Sequence, residues 1–278
     1  MPVKTLDTEP ISYSVPPSGF VPASSSAPIS GPVMCCWFGY DGAPGPPDPG
    51  PSDGSGDHLL SWFLRSLSER EDATTPERLI DVADVHFRPR SDVVNSRNDT
   101  TANEARLEAV RDLWDPTYAG STLSVGTTTS STSTVPDDEG QVPVEFIPRM
   151  RRTIDTYYPN LPLMISDWSF GNTESINGGL VIARALGVFA REGIEAAAHA
   201  DTIEPGTPGW YAFKMFGNYD DRGGAFEGTA YEVAVRQLPN IEAYAALGDD
   251  DVVRIVVVNA ATEVASRVAF DIGGIRTV

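Results

Sequence analysis

A short apolar run that ends on a carboxylate is the clearest candidate for chemistry in this sequence. Residues 163–171 read LMISDWSFG. An apolar run bounded by turn residues is typical of a buried parallel strand, and in barrel-type α/β proteins the C-terminal ends of such strands carry the catalytic groups. Asp167 is therefore a candidate catalytic carboxylate, and Trp168 beside it offers a flat apolar face for a sugar ring. The alternative is that Asp167 ends the strand or caps the helix beginning near Thr173.

Two other predicted strands end on polar residues. Residues 79–87 read LIDVADVHF, and strict alternation places Asp84, His86 and Arg88 on one face of that strand. Residues 194–199 form a shorter run that ends at His199. The carboxyl ends of parallel strands meet at one edge, so His86 and His199 become candidate substrate contacts. For each histidine the alternative is a structural hydrogen bond.

Composition excludes several classes of partner. Acidic residues outnumber basic ones by 39 to 20, which gives a net charge of −19 and argues against nucleic acid and anionic membranes as partners. A neutral polymer is compatible with such a surface. Cys35 and Cys36 are adjacent, and the three histidines show no H-x-x-x-H pair, so we expect neither a metal site nor a cofactor. No membrane-length apolar run or signal peptide is visible.

The elements that must position these residues alternate between strand and helix. Apolar patterns predict strands over 33–40, 79–87, 161–166 and 194–199, with helices over 58–69, 103–113, 146–157, 174–191 and 209–216. Four repeated β-α units indicate a parallel sheet with crossover helices, and four units make half of an eight-unit barrel. Residues 1–30 are rich in Pro and Ser and are predicted to be a disordered arm.

The pattern changes after residue 224. Segments 231–236, 241–247, 252–258 and 264–271 are β-rich, which predicts an antiparallel hairpin set belonging to a β-sandwich. The predicted organisation is therefore a (β/α) half-barrel over residues 31–225 and a partial β-sandwich over residues 226–278.

A long excursion at 90–144 interrupts the β-α pattern. It contains the cluster WDPTY at 114–118 and a Ser/Thr-rich stretch at 127–134. Long loops in compact domains are usually functional or disordered. We interpret Trp114 and Tyr118 as part of a binding wall, with core packing as the alternative for each aromatic ring.

Several separate motifs together resemble glycoside hydrolase family 44. They are GPV at 31–33, DVHF at 84–87, LWDPTY at 113–118, IPRM at 147–150, the 163–171 stretch, INGGL at 176–180 and NYD at 218–220. Their order and spacing fit over about residues 31–225 and more loosely through the β-rich tail.

The resemblance implies a fold and an activity. The family consists of retaining endo-β-1,4-glucanases and xyloglucanases, with a (β/α)8 barrel of the TIM type beside a β-sandwich. Residues 31–220 would then be strands five to eight with their helices, that is, the C-terminal half of the barrel. Asp167 falls on the position of the catalytic nucleophile. The predicted substrate-binding residues are His86, Trp37, Trp114, Tyr118, Trp168 and His199, and the expected partner is a β-glucan polysaccharide. The family is typically secreted.

The sequence departs from the family pattern at both catalytic positions. The family nucleophile is Glu, whereas Asp167 is shorter by one carbon–carbon bond, about 1.5 Å. The expected Asn-Glu-Pro acid/base motif does not occur, and Glu9 in Thr8-Glu9-Pro10 is followed by a stretch without a helical pattern. Glu174 is better explained as a first-turn helix acid. The resemblance therefore implies that strands one to four lie outside this sequence, which predicts a fragment, a protein completed by a second chain, or a decayed relative.

Three hypotheses follow from these observations. The first is a glucan hydrolase with Asp167 as the nucleophile. The second is a pseudoenzyme that binds glucan through its aromatic residues or has no function. The third is an interaction protein that uses the open edge of the half-barrel as its interface, because fold does not imply function.

Overall fold

A computed structural model describes residues 28–33, 58–74, 78–89, 98–118, 143–235, 240–261 and 265–271. Residues 1–27 of the predicted disordered arm (1–30), most of the predicted strand at 33–40, and Trp37 lie outside these residues. Ser30, at the end of that predicted arm, lies instead in a strand.

Four parallel strands form the first sheet, in the order in which they occur along the chain. They are β1 (Ser30–Gly31), β2 (Val82–Phe87), β3 (Leu163–Trp168) and β4 (Ala197–His199). Neighbouring strands that are parallel and sequential need crossover connections, and helices supply them. This arrangement confirms the predicted partial barrel.

The helices begin within three residues of the predicted positions, and their ends also agree, except that the first helix continues five residues beyond its predicted end. They are α1 (Leu59–Thr74), α2 (Thr100–Ala109) with a 3-10 turn (Val110–Leu113), α3 (Phe146–Tyr157), α4 (Ile176–Glu192) and α5 (Pro208–Gly217). Helix α4 has a Ser175 N-cap, whose hydroxyl accepts the Gly178 N–H, and it ends at Gly193 in the left-handed conformation that glycine tolerates (φ 64°). No helix in the described ranges is long and apolar enough to span a membrane.

The helices cover one face of the parallel sheet. Ala83, Val85 and Phe87 point from β2 into a fully buried core, where the Phe87 ring lies 4.9 Å from that of Phe146 at the start of α3. Alternation then sends Asp84 and His86 to the opposite face. The core therefore fixes which side chains of β2 remain available for chemistry.

A second, antiparallel sheet packs against α4. Its strands are β5 (Thr229–Tyr231), β6 (Ile241–Leu247) and β7 (Val253–Asn259), paired in that order. Tyr244 of β6 lies flat against α4 at Gly187, where a Cβ atom would approach the ring to 2.3 Å. The predicted antiparallel sheet is confirmed, although residues 265–271 form no strand where one was predicted.

Candidate active site

A β-bulge at the end of β3 decides which side chains reach the site. Val85 pairs with Ile165, but the next residue, His86, pairs with Asp167, so Ser166 is an extra residue in β3. The same irregularity recurs against β4, where Ile165 pairs with Ala197 and Trp168 with His199. A bulge reverses the alternation beyond it. Ile165 and Trp168 therefore both face the helices, and Asp167 does not.

Asp167 forms a bidentate ion pair with Arg88, which follows β2 directly. Arg88 Nε donates to Oδ1 at 2.7 Å and Nη2 donates to Oδ2 at 3.0 Å. The side chains remain 29% (Asp167) and 46% (Arg88) exposed, so solutes can reach the pair. Hydrogen bonds from Arg88, helped by the positive charge of that guanidinium, lower the pKa of Asp167. The carboxylate is therefore ionised over the neutral range.

The predicted shared face of Asp84, His86 and Arg88 is confirmed by their contacts with β3. Asp84 Oδ1 accepts the Ser166 N–H at 3.2 Å, and His86 Nε2 lies 3.1 Å from the Ser166 hydroxyl. Arg88 reaches Asp167 one step further along. Ser166 thus links the bulge to β2, and His86 lies beside Asp167.

His199 approaches the site from β4, and it does so with a largely buried ring. Its imidazole packs edge-on against Trp168, with centroids 4.6 Å apart, and its Nδ1 lies 3.1 Å from both the N–H and the carbonyl of Asp201. Burial lowers the pKa of His199, which favours the neutral imidazole. The structure therefore brings His86, His199 and Asp167 to the same strand edge.

Trp168 occupies a different place from the one predicted. Its side chain is fully buried, and its ring contacts Phe189 of α4 and Phe213 of α5, with centroids 5.1 Å and 6.1 Å apart. Protein side chains surround the ring, so it offers no exposed face for stacking on a sugar. The bulge at Ser166 is the physical reason, because it turns the residue after Asp167 into the helix layer.

Trp114 and Tyr118 lie at the opposite end of the sheet from Asp167. The guanidinium of Arg191, near the C-terminus of α4, sits 4.3 Å from the Trp114 ring centroid, and that of Arg111 sits 4.6 Å from the Tyr118 ring centroid. Helix α4 starts at the Asp167 edge and has 17 residues, so its ends are about 25 Å apart. The prediction that these two rings line one cleft with Asp167 therefore disagrees with the structure.

Trp114 instead borders a cavity of about 460 Å³ between α4 and the antiparallel sheet, together with Arg191, Tyr231 and Tyr244. Burial, with the nearby charge of Asp112, raises the pKa of Tyr118 to about 12. Both rings contribute to packing at this end of the molecule.

The sequence reasoning missed the partner of Asp167. Alternation along β2 predicts the correct face for Arg88, but the register between β2 and β3 that pairs it with Asp167 follows from the bulge. Among the described residues no group of three or more His, Cys, Asp or Glu side chains could hold a metal ion.

Comparisons with known proteins agree with this architecture. The model of glycoside hydrolase family 44 matches residues 21–91, which include β2 and exclude Asp167. The β-mannanase/endoglucanase A of Caldicellulosiruptor saccharolyticus is 29% identical over 244 residues, which are 84% of this chain and 18% of that protein. Endoglucanase A of Paenibacillus lautus is 29% identical over 228 residues, which are 78% of this chain and 31% of that protein.

Solved structures resemble the chain over a similar length. CelM2, a bifunctional glucanase-xylanase from a metagenome library, superimposes with a TM-score of 0.69 at 29% identity, covering 84% of this chain and 44% of that one. Cel44A, an endoglucanase of Clostridium thermocellum, gives 0.68 at 26% identity, with 84% and 45% covered. The chain therefore spans less than half the length of these solved structures and less than a third of the two curated relatives.

Proposed function

Because this chain belongs to glycoside hydrolase family 44 over the part of the family that it covers, we propose that it contributes the nucleophile side of a retaining endo-β-1,4-glucanase site. The observation that carries the proposal is Asp167. It stands at the C-terminal end of β3, turned out of the helix layer by the bulge, ionised and accessible to solutes.

The proposed reaction is a double displacement. One Asp167 oxygen attacks the anomeric carbon, the glycosidic C–O bond breaks, and an acid gives its proton to the departing oxygen. Water then attacks the resulting glycosyl ester, returns a proton to the conjugate base of that acid, and releases Asp167. Retaining geometry needs the two carboxyl groups about 5–5.5 Å apart. We assign no residue of this chain as that acid.

The proposed substrate class is a neutral β-1,4-glucan such as cellulose or xyloglucan. The names of the relatives, endoglucanase and glucanase, support this class, and the net charge of −19 disfavours anionic polymers. His86 and His199, which flank Asp167, are the proposed sugar contacts. The comparisons give no support to a second chain as the source of the remaining strands.

A second candidate function is glucan binding without turnover. The specific observation in its favour is that Arg88 engages both oxygens of Asp167, which leaves neither oxygen without a strong hydrogen bond. Binding requires only hydrogen bonds to sugar hydroxyls, so an ion-paired Asp167 could serve it without forming a covalent bond.

The test is reducing-sugar release from amorphous cellulose and xyloglucan, which are both uncharged, by the purified chain. Loss of the nucleophile in Asp167→Ala should lower turnover on the order of 10⁴-fold or more. Asp155→Ala, which alters an exposed carboxylate of α3, is the matched control and should leave activity unchanged. Because a 1 Å misplacement costs on the order of 100-fold, Asp167→Glu should raise turnover.

The outcomes separate the two candidate functions. Measurable turnover that is equal in the parent and in Asp167→Ala would exclude Asp167 as the nucleophile. Glucan binding measured by calorimetry, without sugar release from any variant, would favour the non-catalytic role.

A further inference from the structure

Arg88 and Asp167 connect the ends of two neighbouring strands. Asp167 is paired in register with His86, and Arg88 lies two residues further along the same chain. Two hydrogen bonds, of 2.7 Å and 3.0 Å, join the guanidinium to both carboxylate oxygens. A planar fork of this kind fixes the plane of the carboxylate as well as its distance, which a single charge cannot do.

The charged groups around Asp167 come from three elements. His86 faces it from β2, where its Nε2 is also in contact with Ser166, and His199 faces it from β4. Asp84 lies one step deeper on the shared face, with its carboxylate bonded to the Ser166 N–H. Among these groups, Arg88 is the cation whose hydrogen bonds to Asp167 the structure records.

We propose that Arg88 is a positioning residue that holds Asp167 in one orientation as a carboxylate, so that a sugar reaches Asp167 only by displacing one of its two hydrogen bonds. The sugar part of this statement rests on the proposed function, whereas the Arg88–Asp167 coupling does not. The bulge makes the arrangement possible, because without the extra residue in β3 Asp167 would face the helices.

The chemistry of the pair predicts a graded response to substitution at Arg88. Methionine has a similar length and no charge, so it removes both the hydrogen bonds to Asp167 and the positive charge beside it. Lysine keeps the charge but cannot form the fork. Loss of a cationic partner raises the pKa of a carboxyl group towards its ordinary value. The pKa of Asp167 should therefore be lowest in the wild type, higher in Arg88→Lys and highest in Arg88→Met.

The test follows the Asp167 carboxyl carbon by NMR across an acid titration of the chain labelled with ¹³C-aspartate. The Asp167 signal is identified by its absence in Asp167→Asn. We expect an upward shift of its midpoint in Arg88→Met and a smaller upward shift in Arg88→Lys. Arg152→Met is the control, because Arg152 is exposed on α3 and pairs with Glu145 at 3.4 Å; it should leave the Asp167 midpoint unchanged.

The result that overturns the proposal is an Asp167 midpoint in Arg88→Met equal to that of the wild type. If Arg88→Met does not fold, Arg88→Lys decides alone, and an unchanged midpoint there overturns the proposal. The titration needs no substrate, so a chain that releases no sugar can still show the coupling, and the two failures remain distinguishable.

Sugar displacement has its own readout. Adding cellotetraose to the wild type should raise the Asp167 midpoint, because the sugar removes one of the Arg88 hydrogen bonds. If calorimetry shows that cellotetraose binds but the Asp167 midpoint stays unchanged, the sugar does not displace an Arg88–Asp167 hydrogen bond, and this part of the proposal is refuted.

Discussion

Arg106 is the buried residue that secures the loop after Asp167, and its replacement by methionine should destabilise the chain strongly. Its side chain is fully buried on α2. Nε donates to the Phe170 carbonyl at 3.0 Å, and Nη1 donates to the Asn103 and Asn177 side-chain oxygens at 2.8 Å and 2.7 Å. A single guanidinium thereby joins α2, the β3–α4 loop and the first turn of α4.

The magnitude follows from the acceptors that lose their donor. Each buried acceptor without a partner costs about 1–3 kcal/mol. The Phe170 carbonyl and the side-chain oxygen of the buried Asn177 both bear this cost, while the partly exposed amide of Asn103 recovers part of it from water. Removal of the buried charge offsets part of the total. We therefore expect Arg106→Met to lower the free energy of unfolding by about 2–4 kcal/mol. With a urea slope of about 2 kcal/mol per M, the midpoint falls by about 1–2 M.

The assay is urea unfolding followed by tryptophan fluorescence, for which the fully buried Trp168 is a suitable reporter. Arg152→Met is the control with the same chemical change at an exposed ion pair, and it should cost at most about 0.5 kcal/mol. Equal free energies of unfolding for the two variants would refute the role given to Arg106.

Two further predictions concern the sheet contact and the acid stability. Gly187→Ala should destabilise by about 1–3 kcal/mol, because its Cβ would meet the Tyr244 ring at 2.3 Å, whereas Gly217→Ala, with no atom within 4 Å, should be nearly neutral in thermal unfolding. Asp167 has a lower pKa in the folded state than in the unfolded state, so it stabilises the fold at any pH above its unfolded-state pKa. This stabilisation is lost as the pH falls through the folded-state pKa. The stability difference between wild type and Asp167→Asn should therefore shrink on acidification; a constant difference would contradict it.

The β-α units could be predicted from the sequence because their helices carry strong apolar spacing. Helix α3 runs over the predicted residues, and α4 begins and ends within two residues of the prediction. Local signals supported these boundaries, since Gly193 ends α4 in the left-handed conformation and Ser175 caps it. The domain limits at residues 30 and 225 stay predictions.

The side-chain directions at the end of β3 could not be predicted. Strict alternation puts Asp167 on the side of Ile165 and Trp168 on the side of Ser166, which is the reverse of what the structure shows. The bulge depends on contacts of Ser166 with Asp84 and His86, residues about 80 positions away. A pattern confined to one strand does not contain this information.

The position of Trp114 shows a related limit. A loop that follows a strand is expected to lie at the C-terminal end of the sheet, where that strand ends. Here α2 and its 3-10 turn first run along α4, and Trp114 comes only after them. Arg184 of α4 bonds to the Leu107 carbonyl, and Arg191 lies over Trp114, which shows that α2 and α4 run side by side. The motif that contains Trp114 therefore lies near the end of the helix that precedes it, and not near the end of strand β2.

Two features of the strand ends act on the carboxylate that we propose as the nucleophile. Asp167 reaches about 1.5 Å less far than Glu would, and Arg88 holds it towards the end of β2. A carboxylate with a lowered pKa is a weaker nucleophile and, once esterified to a sugar, a better leaving group. We therefore expect the first step of the proposed double displacement to be the slower one, because the hydrogen bonds of Arg88 must yield before Asp167 can attack.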